Sequence, residues 1–190
     1  VLARRWRRPG LRLSAPAIEG QGKVIHPYDT LVALAEVAAA FAGFSGVVAA
    51  FGHRSPADWS AAARFRFENL LTVSVAASLL AFLPVVLAHF SIPAAVVWAW
   101  SGAALALFCV SFLIQTFRRG RRIASEELSW WMALIWMGGM IGVALAQMAN
   151  LAIPVESRGA GPYVAGILVL LAISGLQFIL LALSSISSDP

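Results

Sequence analysis

Charge is scarce in this chain. Asp, Glu, Lys and Arg make up 12% of its 190 residues, where a soluble domain carries about 25%. Hydrophobic residues make up 60%, which leaves no room for a water-soluble domain within it. Lysine is almost missing: Lys23 stands alone, ahead of the first apolar run, so a retinal-type Schiff base inside a bundle is excluded. The single cysteine, Cys109, excludes an intrachain disulfide and reads most simply as a small buried apolar residue. Phosphate loops, HExxH and GxSxG motifs, and Cys/His pairs at metal-ligand spacing are also missing. With no constellation to carry catalysis, the chain is expected to be non-enzymatic, without a metal and without a resident cofactor.

What the chain has instead is long apolar runs. They cover Leu31–Phe51, Leu70–Phe90, Ala94–Phe117, Trp130–Leu151 and Tyr163–Ser184. As a helix, each is about 30 Å long, the thickness of the hydrocarbon core. Lipid admits only helices or closed barrels, and none of the runs alternates as a barrel strand would. The expected fold is all-α: an integral membrane bundle of five transmembrane helices, with a short amphipathic interfacial helix before the second. Residues 1–28 form an Arg-rich tail without apolar periodicity, read as disordered; it lacks the short apolar stretch that a secretory signal places after its arginines. Residues 29–184 form the bundle and 185–190 a short C-terminal tail.

Local signals fill in the bundle. Asp29 or Thr30 can cap the first span. Small residues recur along it as Ala39–Gly43 and Ala42–Gly46–Ala50, and along the fourth span as Gly138–Gly142–Ala146–Asn150. Such spacing lets helices approach closely, so Gly43, Gly46, Gly138 and Gly142 are the expected packing positions. Ser55–Pro56–Ala57–Asp58 reads as the start of the interfacial helix, with Trp59, Ala63 and Phe67 on one face and Arg64 and Glu68 on another. Pro84 should kink the second span, and a few residues around Ser91 and Pro93 should close a tight hairpin into the third.

Net charge is +5, yet the basic residues cluster beside the spans, so lipid rather than nucleic acid is the expected partner. Near the membrane, Lys23, Arg12 and Arg158 lie on the side of the N-terminus. Arg54, Arg64, Arg66, Arg118, Arg119, Arg121 and Arg122 lie on the other. The positive-inside rule then puts the N-terminus outside and the C-terminus in the cytoplasm; counting the remote Arg4–Arg8 cluster as well would even the two sides.

Alternating helix direction sorts the polar residues by leaflet. Glu36 lies about 10 Å into the first span, and His89, Gln147 and Asn150 come to a similar depth from the same side. An acid in hydrocarbon costs a few kcal/mol unless paired or protonated, which makes Glu36 a site hypothesis. One reading is a proton, cation or quinone site built from Glu36, His89, Gln147 and Asn150. The other is a clasp, in which a protonated or hydrogen-bonded Glu36 ties the first span to the fourth. His89 could also ligate a haem iron or a pigment magnesium, though His26 and His53 lie outside the spans.

The run Ala35–Glu36–Val37–Ala38–Ala39–Ala40–Phe41–Ala42–Gly43–Phe44 resembles the first span of small uncharacterised bacterial membrane proteins, in which an acid precedes Phe-x-Gly-Phe. Leu83–Pro84 and Gln177–Phe178 extend the resemblance over about Leu31 to Leu183. It implies a bacterial inner-membrane protein and no established activity; the long Arg-rich tail departs from the short N-termini of such proteins. Taken together, the expectation is an accessory or scaffolding subunit of a larger membrane assembly, in contact with lipid and with other membrane subunits. The alternatives are a small transporter or proton- or cation-handling protein using Glu36, and a cofactor- or pigment-binding subunit using His89.

Overall fold

The structure, a computed structural model, describes residues 26–51, 59–120 and 130–186. Among them the elements are α1 (Pro27–Phe51), α2 (Ala61–Ala88), α3 (Ala94–Gly120), α4 (Trp130–Ala152), a single 3-10 turn at Val155–Ser157, and α5 (Gly161–Ile186). All five helices are long and apolar enough to cross a membrane, and no strand occurs among the described residues. The multi-pass α-helical bundle read from the apolar runs is therefore the observed architecture. Most of the tail at 1–28, the Ser55–Asp58 cap and Arg121–Arg122 lie outside the described residues.

Helix boundaries differ from the apolar runs where polar residues extend a helix beyond hydrocarbon. α1 starts at Pro27, whose ring suits the first helical position; the N–H groups of Asp29 and Thr30 both donate to the His26 carbonyl. The second helix absorbs the interfacial segment. Ser60 caps it, its hydroxyl accepting from the Ala63 N–H at 3.1 Å, and 28 residues run unbroken, about 42 Å. No separate interfacial helix stands before it among the described residues. Trp59 precedes the helix, yet its ring meets Phe67 edge-on at 5.1 Å. Ser91 turns the α2–α3 hairpin with φ 55°, a left-handed conformation that a Cβ disfavours. α5 continues to Ile186, past the expected end at Ser184.

Packing puts α5 in the middle, in contact with all four other helices, while α1 packs on α2 and α5, and α3 on α4. Buried stripes follow helical spacing: Leu31, Ala35 and Ala38 on α1, and Leu70, Val73, Ala77 and Ala81 on α2. The alanines keep these two helices close enough for the Ser78 hydroxyl to donate to the Ala35 carbonyl at 3.2 Å. At the end of the bundle where α1 starts, Arg158 reaches back to the last turn of α4. Its guanidinium donates to the carbonyls of Leu151 (2.7 Å) and Ile153 (3.3 Å), acceptors that a helix end leaves without partners.

Candidate functional site

Two polar features occupy the half of the bilayer that contains the start of α1. One is internal. Pro84 lacks an N–H, so the Leu80 carbonyl one turn back has no helical donor. The Tyr163 hydroxyl of α5 donates to that carbonyl. Tyr163 is wholly buried and continues an aromatic row: Trp98 of α3 lies 6.1 Å from it, and Tyr28 of α1 stacks on Trp98 at 5.5 Å. Next to this row the Gln147 amide passes between α3 and α5. Its Nε2 donates to the Pro162 carbonyl at 2.8 Å, and its Oε1 lies against Gly102. A Cβ at Gly102 would come 3.0 Å from Oε1, and one at Gly166 3.2 Å from Nε2. Those two glycines make the slot for the amide.

The other feature is external, and it corrects the expected polar cluster. Gln147 and Asn150 are buried on one face of α4, but Glu36 and His89 are exposed. Depth places residues in a leaflet and says nothing about rotation around the helix axis. On α1 the buried stripe is Leu31, Ala35, Ala38 and Ser45, and Glu36 is one residue, or about 100°, away from it. Glu36 makes no hydrogen bond or ion pair with any described residue, so it does not clasp α1 to α4. His89 caps the end of α2, where its Nδ1 lies 2.8 Å from the Val85 carbonyl. Among the described residues no three of His, Cys, Asp and Glu come together as a metal group.

The expected packing glycines are corrected too. Gly43, Gly46, Gly138 and Gly142 are exposed, and a Cβ at any of them would meet nothing within 4 Å. The close approaches fall at Gly102, Gly139, Gly166 and Gly175. On α4 the error is one residue. A Cβ at Gly139 would lie 3.1 Å from Ile173 Cδ1 and 3.4 Å from Val169 Cγ1 of α5. A four-residue row drifts about 40° per step on a helix. The Gly138–Gly142–Ala146 row therefore runs along the outside before reaching buried Asn150.

The outer face of α1 thus presents Glu36, Ala39, Ala40, Gly43 and Gly46 together. Glu36 lies nine residues after Pro27, about 13 Å along the helix, at hydrocarbon depth. Comparison with known proteins finds no matching family model, no similar curated protein and no similar solved structure.

Proposed function

We propose that this chain is a non-enzymatic accessory or scaffolding subunit of a bacterial inner-membrane assembly, docked through the outer face of α1. The observation that carries this reading is the outward position of Glu36. Ionisable residues in transmembrane helices face the interior of a bundle or a wet cavity, because an unpaired one in lipid costs several kcal/mol. An acid facing outward from this bundle is satisfied when its face becomes the interior of a larger one. Gly43 and Gly46, open on the same face, let a second backbone come close. The fitting partner is a transmembrane helix with a hydrogen-bond donor or cation at the depth of Glu36.

A transporter reading needs Glu36 on a path within the bundle, and the pigment reading needs His89 facing inward. The exposed positions of both favour assembly. Arg64, Arg66, Arg118 and Arg119 at one end of the bundle, against Arg158 at the other, support a cytoplasmic C-terminus. The test is the intact mass of the particle released from its native membrane by mild detergent. A particle heavier than this chain and its multiples is expected. Glu36→Leu and Gly43→Leu should each weaken the complex by about 1–2 kcal/mol, roughly 5- to 30-fold, without unfolding the chain. A particle of this chain alone would overturn the reading.

A further inference from the structure

The exposed positions of α1 that carry Glu36 and its small neighbours do not recur at one fixed interval. Glu36, Ala39, Gly43, Gly46 and Ala50 are all exposed, and they follow one another by three, four, three and four residues. Seven residues bring a helix back to within about 20° of its starting direction, so this alternation keeps one seam in line along α1. It is the heptad spacing of a left-handed pair, whereas a row at four-residue intervals alone favours a right-handed crossing. The seam extends about 21 Å, from Glu36 toward the far end of α1. Its floor is low, since a Cβ at Gly43 or Gly46 would meet nothing within 4 Å. Glu36 is its one polar group: the other exposed residues among those described between Ala33 and Ala50 are alanine, glycine, valine and phenylalanine.

Given docking through α1, on which this rests, we propose that the seam is occupied by one transmembrane helix of a different chain. That helix crosses α1 left-handed at about 20° and places a lysine or arginine opposite Glu36. The cation follows from charge. A hydroxyl or amide would bond one carboxyl oxygen and leave the charge of an acid without compensation in hydrocarbon, whereas a cation and Glu36 make a pair of zero net charge. The different chain follows from the symmetry of the seam, which is centred on Gly43. A second copy laid antiparallel would bring its Ala50 opposite Glu36, and a parallel copy would bring acid to acid. Neither supplies a cation.

Two measurements on the full chain test this. Photo-cross-linkers are placed singly at Val37, Ala39, Gly43, Phe44 and Gly46 in the native membrane. Protein adducts are expected from 39, 43 and 46, and lipid adducts from 37 and 44, which are exposed but turned away from the seam. The second measurement is the fraction of complex that survives dilution in mild detergent. Glu36→Gln keeps the size and hydrogen-bonding capacity of the side chain and removes its charge. It should weaken the complex by the same roughly 5- to 30-fold as Glu36→Leu, and Glu36→Asp, which keeps the charge, should retain more of it than either. Protein adducts from 37 and 44 in place of 39 and 46 would overturn the seam, and a complex as tight in Glu36→Gln as in wild type would overturn the cation, with docking through α1 intact in both cases. Protein adducts from none of the five positions would overturn the docking reading together with the seam.

Discussion

Replacing Tyr163 by Ala is expected to lower the stability of the bundle by about 3–5 kcal/mol, the range for deleting a large buried aromatic side chain. The ring fills the space between Trp98 and α2, and its hydroxyl serves the carbonyl that Pro84 leaves without a donor. The two parts separate in Tyr163→Phe. That variant keeps the ring and leaves the part-buried Leu80 carbonyl without its donor, at a cost of about 1–3 kcal/mol. The cause can be isolated by changing Pro84. In Pro84→Ala the residue at 84 regains an N–H, so the Leu80 carbonyl is paired within its own helix. Tyr163→Phe should then cost less in that background, with a coupling of about 1–2 kcal/mol. Unfolding of the four variants in detergent measures it. An unchanged cost would mean that the hydroxyl does not compensate for the proline.

Gly166→Val is expected to have an effect of similar size by the opposite means, overfilling. A Cβ there would lie 2.8 Å from Leu105 Cδ2 and 3.2 Å from both Val143 Cγ1 and Gln147 Nε2. Leu105 and Gln147 are wholly buried, so neither has free space to move into. The single methyl of Gly166→Ala should cost about 1–3 kcal/mol. The branched side chain of Gly166→Val should cost more, because it also displaces the amide from the Pro162 carbonyl. Gly43→Val is the matched comparison. With nothing within 4 Å of its Cβ, it should leave the unfolding midpoint of the isolated chain almost unchanged and report only on assembly.

The spans were legible in the sequence because hydrocarbon thickness is a length criterion, and apolar runs such as Ala94–Phe117 meet it directly. Rotation about each helix axis was not. Every face of such a helix is apolar, so the contrast that marks the buried side of a soluble helix is missing. Glu36, expected inside the bundle, therefore lies on the exposed face of α1. A better marker was present on α4. Taking Gln147 as the inward face and stepping back by four residues gives Val143 and Gly139, which selects Gly139 over Gly138 as the packed glycine. The hydrogen bond through which Tyr163 compensates for Pro84 spans 83 positions of the chain, and no local pattern carries it. Each signal was visible singly, as an expected kink and as the start of the fifth span.

The most direct test of docking through α1 is photo-cross-linking in the native membrane from Ala40, one turn beyond Glu36 on the exposed face, with Leu107 on the outside of α3 as the reference. The expected result is an adduct from position 40 and none from 107. The attached peptide should come from a transmembrane helix with a donor or cation at the depth of Glu36, and the adduct should be lost in Glu36→Leu. Lipid adducts alone from both positions, or a protein adduct indifferent to Glu36, would contradict it.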